Sequence, residues 1–348
     1  MDDEQNIYKE STQNIPFLQW LNQKKSNVFS QLYNYIPNNY TSPQLYPNEF
    51  IIFLGELFPP HIVRTQTSNF FDVAITHIKA YPALTSLIYF VYRSNFSALP
   101  NTSLKSDGGW GCTIRACQML LANAIIKLFG SDNINRKTVI HWFLDFYNVE
   151  CPYSIHSLFT TQIIVSGNPN GSSFLPLSVV TYALTELVNK DLNRIFECHV
   201  ITNKFLLNSI NKPTIIFIPF TIPDEFNQRL ISIFSFNLFA GMVGGCKQKA
   251  FYFFGIHHDQ LLFLDPHFVR PCASSIMKFD EKDYIAKLSD IKSLHINELE
   301  RSVVFSFVIH SFQELTSLQE LAKNVLGIDN KQLTIKREEC DGFEVLEF

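Results

Sequence analysis

The stretch SDGGWGCTIRACQM, Ser106–Met119, sets the tightest constraint on the fold of this chain. Gly108, Gly109 and Gly111 precede a cysteine, and beyond it Ile114, Cys117, Leu121, Ala124 and Leu128 recur at spacings of 3, 4, 3 and 4. That is the period of a helix face turned into a core. Cys112 falls at or just before the first turn. A thiolate there meets the positive end of the helix dipole and N–H groups without intrahelical partners. Such a setting can lower a thiol pKa from about 8.5 to between roughly 3.5 and 7.5. The glycines let the backbone bend tightly and come close to a ligand. Two readings stand side by side. Cys112 is a nucleophile held by a helix, or it is a buried structural cysteine beside a Gly-rich turn, since free Cys is among the most buried residue types.

A nucleophile needs a base, and the base needs an orienting group. Of the ten histidines, His267 in LLFLDPHFVR has the most suitable company. In an extended segment Asp265 and His267 share a face, and Pro266 puts them at a strand edge or end. A carboxylate beside an imidazole fixes its tautomer and favours its protonated form. The other reading is an Asp-Pro turn with an incidental histidine. His257 and His258 fall in the expected turn HHDQ and read as exposed; His156, in YSIH, reads as structural. No third ligand at metal-site spacing accompanies them. Tyr92, in FVYRSNF, can donate to an oxyanion beside the Cys112 N–H, or it is a half-buried packing residue.

With 348 residues, 46% of them hydrophobic, the chain can bury one large core, or a core and a smaller lobe. A net charge of −4 argues against holding nucleic acid or anionic lipid by charge. Seven scattered cysteines without a CxxC pair argue against a disulfide scaffold or a four-thiolate zinc site. The acidic start MDDEQNIYKE is not a secretory signal, and no apolar run reaches the roughly 18 residues of a bilayer span. The expectation is a reduced, soluble, intracellular protein.

Residues 1–44, rich in Asn, Gln and Ser around the apolar cluster IPFLQWL, read as a mobile arm, 45–326 as the body and 327–348 as a flexible tail. SGNPNGSS, 166–173, is a loop without the lysine of a phosphate-binding P-loop. PTIIFIPF and RSVVFSFVI read as strands, and AFYFFGI and LLFLDPH as a hairpin. Val179–Lys190 and Phe312–Val325 read as helices. Helices first, then a run of strands, then a terminal helix predict an α+β fold with a largely antiparallel sheet.

YRSNF, SDGGWGCTIRACQM and GGCKQKAFYFFGIHHDQLLFLDPH, in that order, resemble the autophagins, papain-like cysteine proteases that process the ubiquitin-like modifiers of autophagy. PTIIFIPFTIPDEFN resembles the family's stretch ahead of the GG turn, and the likeness runs from about Asn48 to Leu326. It implies a papain-like fold with a small α/β subdomain inserted at about 132–211. It implies Cys112 as nucleophile, His267 as base, Asp265 as orienting acid and Tyr92 as oxyanion donor. The implied activity is cleavage after the C-terminal glycine of the modifier, which matures the precursor and releases the modifier from phosphatidylethanolamine. No metal or organic cofactor is implied. The implied partner is the modifier, free or lipid-conjugated, with transient contact to autophagic membranes through it, in the cytoplasm and without nucleic acid.

Several positions depart from the family pattern. Lys247 stands where it has a proline, Thr221 where it has an arginine, and Ala116 where it has a second cysteine, with Cys117 one step later. Ser173 and Phe174 replace a Trp-Tyr pair at the cleft, so either Phe174 gates instead or the gate is weaker; Trp110 is a candidate channel wall or a packing residue. In the tail, Phe343 and Leu346 follow Glu338, Glu339 and Asp341 and resemble the short motif by which autophagy proteins dock on these modifiers. Such a segment adds a strand to a sheet edge. The altered positions 173 and 221 support an alternative, a catalytically silent modifier-binding relative. A redox pair of Cys112 and Cys117 fits poorly, because five residues along a helix offset them by about 140°.

Overall fold

The computed structural model describes residues 40, 43, 49–59, 81–100, 102–161, 175–191, 195–202, 207 and 209–328. The arm apart from Tyr40 and Pro43, the loop 166–173, Phe174, Phe343 and Leu346 lie outside the described residues. In chain order the main elements are β1 (Ile51–Phe53), β2 (Glu56–Phe58), α1 (Tyr81–Leu84), β3 (Tyr92–Ser94), α2 (Cys112–Phe129), α3 (Arg136–Trp142), α4 (Ile155–Leu158), α5 (Leu177–Lys190), β4 (Glu197–Val200), β5 (Thr214–Thr221), α6 (Asn227–Phe234), β6 (Phe239–Cys246), β7 (Lys249–His257), β8 (Gln260–Leu264), β9 (Val269–Pro271), β10 (Ile291–His295), β11 (Ser302–Ile309) and α7 (Phe312–Leu321).

The main sheet runs β10-β8-β7-β6-β11-β5-β4, with β1 joined to the end of β7 and β2 to β1. Its pairings are antiparallel except β4 with β5, so the α+β, largely antiparallel expectation holds. The sheet is buried on both faces, which is why its strands read as unbroken apolar runs. Along β7, Tyr252 and Phe254 face the core under α2, and Phe251 and Phe253 face the opposite one. Along β5, Ile215 and Phe217 alternate in the same way with Ile216 and Ile218. The first core holds α2 and α5; the second holds Leu230, Ile233 and Phe234 of α6 with Leu315 and Leu318 of α7.

Helix α2 packs on β6 and β7 and is the centre of the first core. Its 18 residues are long and apolar enough to match a bilayer span, contrary to the expectation from runs alone, yet 83% of that stretch is buried inside the fold. Its length and apolarity are those of a core helix enclosed on nearly every side.

The expected hairpin forms with His258 in its turn at φ +57°. His257 is corrected: it is buried within β7, opposite Ile51, and its Nδ1 lies 3.1 Å from the Phe50 carbonyl. The cover comes from β1, about two hundred residues earlier, so the local pattern holds no trace of it.

Because Leu121 is fully buried at the centre of α2, Leu121→Ala leaves a cavity that the rigid sheet cannot fill. The expected loss is about 2–5 kcal/mol, read from chemical denaturation midpoints.

Candidate active site

Cys112 is the first residue of α2, with Gly111 at the cap. The preceding turn closes on the Asp107 carbonyl, which accepts from Trp110 N at 3.2 Å and Gly111 N at 2.9 Å. A side chain at Gly111 would put Cβ 2.6 Å from Asp107 Cβ and Oδ2. This glycine therefore makes room for the protein's own carboxylate, where the sequence pattern pointed to close approach of a ligand.

Asp265, Pro266 and His267 follow β8 directly, at the strand end that the proline requires. Asp265 Oδ1 accepts from the His267 amide at 3.0 Å and faces His267 Nδ1 at 2.5 Å. With Nδ1 committed to the carboxylate, the other ring nitrogen is left for the sulfur. The segment is tied to β3: Tyr89 donates to the Asp265 carbonyl at 2.5 Å, Tyr92 N donates to the Pro266 carbonyl at 3.0 Å, and β3 pairs in parallel with β9. Tyr92 meets the imidazole edge to face at 5.5 Å, and Phe251 does so at 5.4 Å from the second core.

The structure thus brings four expected residues together: Cys112, Tyr92, Asp265 and His267, each at most 3% exposed. The Cys112 sulfur is hydrogen-bonded by the His267 ring, the Ala250 amide and the Tyr92 hydroxyl. Ala250 was not found from sequence, because a backbone donor carries no residue-type signal. Its neighbourhood near the start of β7, after the GG turn, was the available clue.

Residues 79–321 match the family profile of the peptidase C54 catalytic domain. The chain belongs to the peptidase C54 family. The probable cysteine protease atg4 of Schizosaccharomyces pombe is 26% identical over 245 residues, which cover 67% of this chain and 73% of that protein. The cysteine protease ATG4 of Kluyveromyces marxianus is 25% identical over 350 residues, covering 79% and 74%. A crystal structure of UfSP from C. elegans superposes with a TM-score of 0.30 at 16% identity, over 65% of this chain and 34% of that one. As a C54 peptidase the chain is a papain-like thiol protease of an autophagy-related family.

Within this C54 fold the other expected residues are placed as follows. Trp110 is 9% exposed; its indole donates to the Ser106 carbonyl at 3.0 Å and packs edge-on against Phe159 at 5.7 Å. Thr221 is the exposed end of β5, paired with Ser302. Lys247 and Gln248 form the two-residue turn between β6 and β7 at φ +52° and +62°. Proline is locked near −65°, so this turn excludes the family's proline. His156 is buried, with Nε2 2.7 Å from the Ser97 carbonyl, a structural role as read from sequence.

Electrostatics at the sulfur run against burial. Burial opposes ionisation of Cys112, but the hydrogen bond and charge of His267, then the Ala250 and Tyr92 donors, outweigh it and pull the pKa below the ordinary thiol value. Burial likewise disfavours His267 as a cation. Its bonds to Asp265 and Cys112 prevail and lift it to about 9. Both shifts favour a thiolate–imidazolium pair over the neutral one. Cys117, on the same helix, has burial and the neighbouring Cys112 charge acting on it, and its thiol is pushed far up.

Alkylation by iodoacetamide as a function of pH should therefore give a Cys112 midpoint below the usual thiol value. His267→Ala removes the largest opposing cause, so the midpoint should move upward past that of a free thiol. A midpoint unchanged by that substitution would contradict the ion pair.

Proposed function

We propose that this C54 peptidase cleaves a ubiquitin-like autophagy modifier after its C-terminal glycine, maturing the precursor and releasing the modifier from phosphatidylethanolamine. The observation that carries the reading is the meeting of the Cys112 sulfur with the His267 ring, the Tyr92 hydroxyl and the Ala250 amide. Cys112 is assigned as nucleophile, His267 as acid and base, Asp265 as orienting group and Tyr92 as oxyanion donor.

The sulfur attacks the carbonyl carbon after glycine, and the carbonyl electrons move to oxygen. That oxyanion takes hydrogen bonds from the Cys112 N–H and the Tyr92 hydroxyl. The His267 imidazolium gives its proton to the leaving amine, the C–N bond breaks and a thioester remains. Neutral His267 then accepts a proton from water as its oxygen attacks the thioester. Collapse releases the carboxylic acid and restores the thiolate–imidazolium pair. Asp265 fixes the ring through Nδ1 at every step. The leaving amine is a peptide extension in the precursor and the lipid headgroup in the conjugate, so one mechanism serves both. A sulfur enclosed this tightly favours a residue with no Cβ, which supports the glycine selectivity.

The reading has the enzyme working in the cytoplasm and meeting autophagic membranes only through its lipid-bearing substrate. Phe174 is assigned to the cleft, and Phe343 with Leu346 to docking of the same modifier, on the sequence pattern alone.

A modifier with a C-terminal extension should be trimmed by the wild type and left intact by Cys112→Ala. A modifier ending in a propargyl warhead should form one adduct, at Cys112, which His267→Ala abolishes. Labelling at Cys117, or binding without wild-type cleavage, would overturn the reading. Tyr92→Phe should cost about 10²–10³ in kcat. The pH profile of kcat/KM should fall on its alkaline side near 9, where His267 loses the proton that the leaving amine requires.

A further inference from the structure

Five residues before Cys112 in the chain lies a fully buried carboxylate, Asp107, that the mechanism does not use. Its polar groups reach β3 on one side and the start of α2 on the other. Oδ1 accepts from Arg93 N at 2.6 Å, and Arg93 is the residue after Tyr92 on β3. Oδ2 accepts from Arg115 Nε at 2.6 Å, and Arg115 lies one helical turn beyond Cys112 on α2. The carbonyl of Asp107 takes Gly111 N, directly before Cys112. Its own amide donates to the Arg93 carbonyl at 3.2 Å, so β3 and the turn are joined at both atoms.

Arg93 extends the tie toward the histidine. Its guanidinium donates to the Pro271 carbonyl at 3.1 Å, at the end of β9, and lies over the Tyr284 ring at 4.2 Å. Arg115 is also met by Asp145 through Nη1 at 2.8 Å. Asp145 thus shares the cation but is bonded to neither β3 nor the cap of α2.

We propose that Asp107 is a positioning residue that sets the separation between the Tyr92 hydroxyl and the Cys112 sulfur by tying β3 to the start of α2. It touches neither substrate nor sulfur. It acts through Arg93, the residue after Tyr92, and through Gly111 and Arg115, which flank Cys112 in the chain, and a shift of about 1 Å between such groups costs roughly 10²-fold in rate. The proposal rests on the reading of Cys112 and Tyr92 given above.

Asp107→Asn keeps the shape but presents N–H to one of two donors, so one of the two side-chain ties is lost. Arg115→Lys removes the Nε tie, together with the Nη1 contacts to Asp145 and Gln118, leaves the Arg93 tie in place, and carries the test if the first variant does not fold. Asp145→Asn is the control, since it strips the same cation of its other carboxylate. The readout is the pH midpoint of Cys112 alkylation by iodoacetamide, with each variant made with and without Tyr92→Phe.

Asp107→Asn and Arg115→Lys should raise the midpoint as Tyr92→Phe does, and adding Tyr92→Phe should raise it no further. Asp145→Asn should lower Tm and leave the midpoint at the wild-type value. In modifier cleavage, Asp107→Asn should lower kcat roughly tenfold to hundredfold at unchanged KM. Midpoint shifts that add to that of Tyr92→Phe, or an equal shift in Asp145→Asn, would overturn the proposal. Alkylation needs no modifier, so failure of the cleavage reading leaves these midpoints as they are. An unshifted midpoint in Tyr92→Phe alone would sink the positioning role even where the modifier is cleaved.

Discussion

A thiol that must ionise while buried faces a conflict that governs the rest of this structure. Removing the sulfur from water favours the neutral form, and Cys112 is nearly as enclosed as the core residues around it. Cys117 shows what happens when that force goes unopposed: on the same helix, also buried, its thiol is driven up. Burial alone therefore does not distinguish the two cysteines. Cys112 occupies the first turn and has a ring, a hydroxyl and an amide directed at its sulfur, and these reverse the sign. Reactivity depends on bringing three donors from distant parts of the chain to one atom.

The two-sided sheet makes that meeting possible. Helix α2 is fixed by one core, and its first residue emerges where β7 begins and β8 ends. β7 serves both functions: its amide at Ala250 reaches the sulfur, and its Phe251 ring backs the imidazole from the other core. The short parallel pair β3–β9 then joins Tyr92 to the segment after His267. A rigid sheet supplies the precision, and the reactive groups sit at its strand ends and at a helix start.

What could be read in the sequence was whatever depends on local period and local chemistry. The 3–4 spacing gave α2 with Cys112 at its head, the two-residue offset put Asp265 beside His267, and the apolar runs became β5, β7 and β11. What escaped depends on distant pairing. His257 looked like a turn residue and is buried because β1 lies across it. The Ala250 donor is a main-chain atom that any residue type would supply. The turn at Lys247 and Gln248 adopts positive φ at both positions, a choice visible only once the β6–β7 register is known.

The glycines before Cys112 show that one sequence pattern can have more than one cause. Their density suggested space for a ligand, and the residue they announce is indeed at the site. Yet Gly111 is required because the Asp107 carboxylate occupies the volume that its Cβ would take. That carboxylate is held there by Arg115, one turn along the helix that Gly111 caps. The turn and the helix therefore specify each other: the aspartate needs the glycine's missing side chain, and the buried arginine draws on the charge of Asp107 together with that of Asp145. Spacing within SDGGWGCTIR thus encodes a closed loop of contacts around the backbone of Cys112, and the sulfur is aimed by residues that never touch it.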